Sequence, residues 1–419
     1  MELEQAPLSL LCVEPRFPGR LGAVADWLVR KRGYRVRFFC AAAEDRQHWP
    51  ESVGRSLDVV LFGVGGVARE AAAHWTRSLE RGLCYAFGCW EVLEARRPRP
   101  VDLVLGRSAG FGSTLFAPVH LPGTPVVNLF DYFYHAHRHD LAETELAAAP
   151  AEYFYWRRGA NAVDLLDLEN GITPWAATAW QRDLYPAEYR DGFVVLHPGV
   201  DADRFRRRER RQRRVAGRAV PDAVKVVTFV ARGLDRVRGF DRFVRLANRL
   251  LTLYPDVICV AAGAPTVQRG LDVEHYGRDY AAYVLGQVPP HDTARFWSLG
   301  FVPPTTMAEL LAASDLHVYP SRTYPVAASL LEAMAAGCVV LAWDSEPVRE
   351  VLTPGRDGLL VPPDDEDAAL RLARAALDDP AAHAPLGEAA AALVRERYAE
   401  DVMLPHLASL FERLVAGRR

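Results

Sequence analysis

Residues 316–343 read LHVYPSRTYPVAASLLEAMAAGCVVLAW. Leu316–Tyr319 is a short apolar run, and Pro320 to Pro325 is rich in turn residues. Val326–Ala336 carries apolar residues at helical spacing and stops at Gly337. Val339–Trp343 is a second apolar run. Strand, helix and strand in so short a span predict a βαβ unit, whose two strands must run parallel.

The same alternation extends in both directions. Val226–Val230 reads as a strand, Phe240–Leu253 as a helix, Val257–Ala261 as a strand ending toward Gly263, and Met307–Ala313 as a helix. In the first half, Leu8–Val13, Val36–Cys40, Val59–Phe62, Leu103–Leu105 and Val126–Leu129 read as strands. Leu21–Arg30 and Glu70–Glu80 read as helices. A rhythm that starts twice predicts an α/β protein of two Rossmann-like, doubly wound domains. The expected division is 1–196 and 197–395, with the boundary near His197–Asp201. Residues 396–419 add a helix over Asp401–Val415, expected to pack back toward the N-terminal domain.

The chain has 419 residues, half of them hydrophobic, which suits sizeable cores and excludes a disordered or fibrous protein. A formal net charge of -3 gives no basic field for nucleic acid. No apolar run reaches the roughly 18 residues of a membrane span. Leu8–Val13 is too short for a signal-peptide core, so a cytoplasmic location is expected. Six scattered cysteines without a C-x-x-C pair read as reduced, buried thiols. Lys31 and Lys225 are the only lysines among 50 basic residues, so Arg is the default cation here. The Arg-rich stretch Arg204–Arg218 reads as a solvated loop or as a peripheral contact with an anionic membrane surface.

Open parallel sheets bind ligands outside the carboxyl ends of their strands. After Val226–Val230 comes Ala231-Arg232-Gly233-Leu234-Asp235-Arg236-Val237-Arg238-Gly239. Guanidinium forks grip phosphate oxygens in pairs, so Arg232 and Arg238 suit a diphosphate; an ordinary surface loop is the alternative. A helix starting near Val326 aims free N–H groups at the same crevice, and Ala327, Ala328 and Ser329 are small enough to admit a ligand. Glu332, in the second turn, is either an acceptor for paired sugar hydroxyls or an ordinary helix residue.

Asn128–Asp140 reads NLFDYFYHAHRHD and clusters Asp131, His135, His137 and His139 after a strand. The spacing is loose for zinc and no Cys is near, so no metal is expected there. Asp364, Asp365 and Asp367 follow a Pro-Pro turn and read as helix caps. Gly63-Val64-Gly65-Gly66-Val67-Ala68 fits G-x-G-x-x-A and admits an NAD-dependent enzyme. That reading needs an acidic residue about 20 positions on, closing a strand. The nearest, Glu91, follows Gly88-Cys89-Trp90, a poor strand end.

These residues resemble glycosyltransferase family 4, the retaining nucleotide-sugar transferases of GT-B fold. Ser329–Gly337 is the most specific piece. Glu14–Gly19 (EPRFPG) looks like the family's acceptor-side glycine loop, and Val195–Asp201 (VLHPGVD) like its lead into the second domain. Arg232–Gly239 looks like the phosphate loop, and Gly358–Pro363 (GLLVPP) like the C-terminal turn. The likeness runs from Val13 to Asp365. It implies a GT-B pair of domains facing across a cleft, with the donor held by the second domain and the acceptor by the first. It implies transfer from a UDP- or GDP-sugar to a glycan, lipid-linked or small-molecule acceptor, with neither metal nor other cofactor. Retention then fits a front-face route in which a leaving-phosphate oxygen takes the acceptor's proton. The resemblance implies a donor site of Gly19, Arg232, Arg238, Gly263, Tyr324, Ala327, Ala328, Ser329, Leu330, Leu331 and Glu332. It adds Asp131 and His135 to Arg232 and Arg238 as catalytic candidates, because a polar residue after such a strand contacts sugar or acceptor in the family.

Two departures stand out. The family's signature is Glu, seven residues, Glu, and Tyr324 stands at the first Glu. The family's first Glu helps hold the transferred sugar, so Tyr324 is expected to touch the donor sugar alone and leaves its identity open. The family's usual Lys is Arg238, which keeps the charge but not the point-charge geometry. The same residues also permit a non-catalytic GT-B protein that binds a nucleotide sugar or glycan, or a nucleotide-sugar epimerase.

Overall fold

The computed structural model describes residues 7–44, 49–50, 52–64, 76–96, 100–108, 111–135, 149, 151–206, 213–265, 276–277 and 279–417. They form two compact units. The first holds the described residues up to Pro198 together with those from Met403 onward, and the second holds Gly199–Val402.

The first unit is built on β1 (Ser9–Val13), β2 (Arg35–Cys40), β3 (Leu57–Leu61), β4 (Leu103–Arg107), β5 (Val126–Leu129), β6 (Thr173–Ala176) and β7 (Val194–Val195). All pairings are parallel, in the order β3-β2-β1-β4-β5-β6-β7. Its principal helices are α1 (Leu21–Arg32), α2 (Arg77–Arg96) and α3 (Ala151–Glu169). The second unit repeats the plan with β8 (Lys225–Gly233), β9 (Val257–Ala264), β10 (Phe296–Ser298), β11 (Leu316–Tyr319), β12 (Val339–Trp343) and β13 (Leu359–Val361). Their order is β10-β9-β8-β11-β12-β13, again all parallel. Its helices are α4 (Phe240–Leu253), α5 (Tyr280–Gln287), α6 (Pro304–Ala313), α7 (Ala328–Ala335), α8 (Glu366–Asp378) and α9 (Pro380–Arg397). The last helix, α10, is Glu400–Ala416.

Burial explains the elements. Along β8, Val226 and Val230 face one core, while Val227 and Phe229 face the other. A strand buried on both faces reads as a continuous apolar run, as in parallel sheets generally. In α4 the buried stripe is Phe240, Phe243, Val244, Ala247, Leu250 and Leu251, the spacing of a helix with one apolar face. In both units the strand order reverses beside the first strand, between β1 and β4 and between β8 and β11. Ligands of doubly wound sheets bind at that switch point.

Two expectations shift. Residues 396–402 stay with the second unit, because the Val200 N–H donates to the Tyr398 carbonyl (2.9 Å) and the Glu400 N–H to the Val200 carbonyl (3.0 Å). Beyond them α10 buries Leu404, Leu407, Ala408 and Phe411 in the first unit's core, and the Tyr34 hydroxyl donates to Glu412 at 2.9 Å. The helix expected from Val326 begins at Ala328, since Ala327 is extended (φ -79, ψ 147) and gives its N–H to the Tyr319 hydroxyl. Most of the helix expected over Glu70–Glu80 lies outside the described residues. Among the described residues no helix is long and apolar enough to cross a membrane.

Candidate functional site

At the second unit's switch point the loop after β8 folds tightly. The Arg238 N–H donates to Asp235 Oδ1 (2.8 Å) and the Gly239 N–H to the Arg236 carbonyl (3.0 Å). Gly239 has φ 76, and a Cβ there would collide with the Pro320 carbonyl. Only glycine lets this loop press against the one that follows β11.

The contact between the two loops fixes Arg238. Its Nη1 donates to the Pro325 carbonyl (2.9 Å) and the Tyr319 hydroxyl (3.2 Å), and lies 3.5 Å from Ser321 Oγ. The Tyr324 ring lies against the guanidinium, 5.3 Å from its carbon to the ring centre. Among the described residues nothing bonds the Arg238 side chain at Nε or Nη2. Those two nitrogens form the parallel edge that matches two oxygens of a phosphate or carboxylate. Arg232, near the end of β8, is exposed.

The Tyr319 hydroxyl that accepts from Arg238 also accepts the Ala327 N–H at 2.9 Å. One phenol therefore ties the cationic loop to the start of α7. Ser329 Oγ donates to the Val230 carbonyl (3.0 Å), and the Leu330 and Leu331 side chains are fully buried in the core. What Ala328 and Ser329 can offer a ligand is thus the free N–H groups of a helix's first turn. Gly263 lies at the end of β9, against the Ala231 carbonyl, with its N–H on the Gly300 carbonyl at 2.8 Å.

Glu332 follows one turn along α7, half-buried, and its carboxylate makes no hydrogen bond among the described residues. Burial pushes its pKa up to about 7; Arg204 opposes the shift and Glu400 adds to it. Further guanidiniums surround the same strand ends. Arg236 and Arg242 are buried, and Arg322 Nε donates to the Arg236 carbonyl at 3.3 Å. Arg242 pairs with Asp364, and burial and the nearby Arg322 push its pKa below the usual arginine value.

The first unit's switch point is arranged differently. Glu14, just after β1, is 1% exposed and accepts the Arg20 N–H (3.1 Å) and the Leu21 N–H (2.9 Å) at the start of α1. Gly19 has φ 54, and a Cβ would strike the Glu14 carboxylate, so glycine is required there as well. Arg107, the last residue of β4, gives Nη1 to Glu14 (2.9 Å) and Nε to Asp131 (2.8 Å), with a further Nη2 contact to Asp131. Arg20 Nη1 reaches the other Asp131 oxygen at 3.1 Å. Burial alone would lower the Arg107 pKa, but Asp131 and Glu14 together raise it. His197 is held neutral by burial and by Arg20, its pKa lowered to about 3.

The structure therefore joins Arg238 and Ala327 through Tyr319, sets the Tyr324 ring on Arg238, and links Gly19 and Asp131 through Glu14 and Arg20. His135 Nε2 bonds the Leu184 carbonyl at 2.7 Å, and the Asp131 carbonyl accepts from Gln181 at 2.8 Å. The Tyr324 ring lies within cation–π range of Arg238. Glu91 lies inside α2 rather than at a strand end, so the dinucleotide reading lacks its acid. Gly65–Ala68, His137 and His139 lie outside the described residues. Asp365 caps α8, accepting the Ala368 N–H at 2.7 Å. Within the Arg-rich stretch, Arg213 turns inward onto the Ala313 carbonyl (2.8 Å) and Asp315 (2.5 Å), which removes it from any surface patch. Residues 207–212 of that stretch lie outside the described residues. Sequence reading missed Glu14, Arg20, Arg107 and Tyr319 as site residues. Glu14, Arg107 and Tyr319 stand at or just beyond a strand's carboxyl end, which was the available signal, and Arg20 opens α1.

Residues 211–393 match the family model described as glycosyl transferases group 1, and residues 32–205 match the glycosyl transferase family 4 group. Over 249 residues, 58% of this chain, the sequence is 30% identical to the alpha-maltose-1-phosphate synthase of Mycolicibacterium smegmatis, covering 54% of that protein. Over 214 residues, 49% of this chain, it is 31% identical to the D-inositol 3-phosphate glycosyltransferase of Streptomyces avermitilis, covering 44% of it. The chain thus spans about half the length of the curated relatives it matches. Among solved structures, sucrose-phosphate synthase from Thermosynechococcus elongatus is similar at TM-score 0.71 and 15% identity, over 98% of this chain and 100% of that one. Anabaena HepE, solved in complex with UDP and glucose, is similar at TM-score 0.66 and 16% identity, over 97% of this chain and 100% of that one. The fold is GT-B.

Proposed function

The chain belongs to the family 4 glycosyl transferases, and from that premise we propose that it transfers a sugar from a UDP- or GDP-linked donor to an acceptor hydroxyl with retention of configuration. The acceptor is a glycan, a lipid-linked sugar or a small molecule. One observation carries the reading: Arg238 is fixed through Nη1, while its Nε–Nη2 edge has no partner among the described residues.

In the reaction the bond from the anomeric carbon to the diphosphate breaks and a bond to the acceptor oxygen forms. The acceptor's proton passes to an oxygen of the leaving phosphate. Negative charge grows on the diphosphate, and Arg238, Arg232 and the N–H groups of Ala328 and Ser329 stabilise it. Loss of one such preorganised donor typically costs about 3–4 kcal/mol of barrier. Glu332 accepts the ribose hydroxyls. These cations make a divalent metal unnecessary, so transfer should survive EDTA. Abolition by EDTA with recovery on adding Mg²⁺ or Mn²⁺ would refute that part.

The first test is a thermal-shift screen of UDP, GDP, ADP and their sugars, since a ligand bound by the native state alone raises its stability. Donor turnover with NMR assignment of the product anomer follows. No shift with any nucleoside diphosphate would sink the proposal.

A further inference from the structure

The residue at position 324 breaks the family's spacing of two carboxylates, yet the structure gives its ring a definite partner. Among the described residues the guanidinium of Arg238 is gripped by neutral groups alone: the Tyr319 hydroxyl, the Pro325 carbonyl, Ser321 Oγ and the Tyr324 ring. The polar contacts all fall on Nη1. They hold the guanidinium at one corner of its plane. The Tyr324 ring adds a second restraint away from that corner, because the guanidinium carbon lies over the ring and the cation is attracted to its negative face.

We propose that Tyr324 is a positioning residue for Arg238: its ring, together with the Tyr319 hydroxyl, orients the guanidinium so that the Nε–Nη2 edge meets a diphosphate. The inference rests on the nucleoside-diphosphate reading above and deepens it. A carboxylate near a guanidinium pairs with it and cancels charge, whereas a phenol ring orients it and leaves the full positive charge available. A chain with Tyr at this position therefore keeps a strong oxyanion seat in the absence of a ligand.

The test compares Tyr324→Phe with Tyr324→Leu. Affinities for inorganic diphosphate, UDP and GDP are measured by calorimetric titration. The ¹⁵Nε–¹H signal of Arg238, assigned by its absence in Arg238→Lys, is recorded without ligand. Phe keeps the ring, so all affinities should stay within about twofold of wild type. Leu keeps bulk but loses the π face, so all three probes should weaken by the same factor, about three- to tenfold. The upfield ring-current shift of Arg238 Nε–H should persist in Phe and vanish in Leu.

Unchanged affinity of the Leu variant for inorganic diphosphate, with weaker binding only of nucleotide sugars, would overturn the proposal and return Tyr324 to the sugar. Equal losses in Phe and Leu would also overturn it, by showing that the hydroxyl matters and the ring does not. If the Nε–H signal behaves as expected but wild type binds none of the probes, the orienting contact stands. The nucleotide reading then fails, and with it the role assigned to the contact.

Discussion

The two sheets share one strand order, and each gathers arginines at the point where that order reverses, but they use them in opposite ways. In the first unit, Arg20 and Arg107 face Glu14 and Asp131, and the four charges cancel. In the second, Arg238 is anchored by a phenol, a carbonyl, a hydroxyl and a ring, none of which carries charge. Topology fixes where such groups can gather, and the partner set decides what they do. Guanidiniums matched by carboxylates form a brace that can line a neutral, hydroxyl-rich ligand. A guanidinium held by neutral groups keeps its charge for an anion.

The sharpest way to break this comparison is to remove one arginine from each unit. Arg107→Met leaves Glu14, 1% exposed, and Asp131 without their shared cation. Removing one partner of a buried ion pair typically costs about 3–5 kcal/mol, so the first unit should unfold at markedly lower denaturant. Chemical denaturation followed by the fluorescence of the first unit's tryptophans measures this. If Arg107→Met were as stable as wild type yet inactive, the network would be a binding surface and not a brace.

Arg238→Ala should do the reverse. Its partners are polar groups that water can satisfy, so unfolding should move little. Transfer should fall about a hundred- to a thousandfold, the usual cost of losing one preorganised donor to a developing oxyanion. Steady-state kinetics beside a denaturation curve decides the matter. Equal destabilisation by both variants would erase the distinction between the two switch points.

The sequence made the second unit's plan easy to read. The boundaries of β11, β12 and α4 agree with the pattern of their residues, because each buries a continuous run or a clean helical stripe. The first unit hid two elements. β6 contains Pro174 between β5 and β7, a residue that normally argues against an interior strand. Helix α3 buries Arg157, Asn161, Asp164 and Asp167 on its inner face, so its polar residues do not mark the solvent side. In the candidate site, the tight loop around Arg238 was legible because glycine and arginine recur after a strand. The ring of Tyr324 against Arg238 was not, because it depends on Pro325 and the extended Ala327 delaying the helix. The pairing of Glu14 with Arg107 joins residues 93 apart in sequence, and no local pattern reveals it.

A finer test turns on Glu332, whose carboxyl lies near the start of α7 with a pKa pushed toward neutrality. Burial raises it from 4.5 to about 7, with Arg204 opposing and Glu400 adding. Between those values the folded state holds a proton that the unfolded state has released. Stability is therefore unaffected by Glu332 below pH 4.5, falls as pH rises from there through 7, and carries the full penalty above it. The ceiling on that penalty is about 3 kcal/mol, since each tenfold difference in proton affinity between the two states is worth about 1.4 kcal/mol. Glu332→Gln removes the titration, so its stability relative to wild type should improve from pH 4 to pH 8. Nucleotide binding should respond with the opposite sign. Ribose hydroxyls donate best to the ionised carboxylate, so wild-type affinity should rise between pH 6 and pH 8, by about tenfold for a group titrating near 7. The terminal phosphate of a nucleoside diphosphate titrates in the same window, but it affects both proteins alike. The ratio of wild-type to Glu332→Gln affinity therefore isolates the carboxyl, and calorimetric titration at pH 6, 7 and 8 measures it. A ratio that stays flat across that range would place the ribose away from Glu332 and leave Arg238 as the sole anchor this comparison supports.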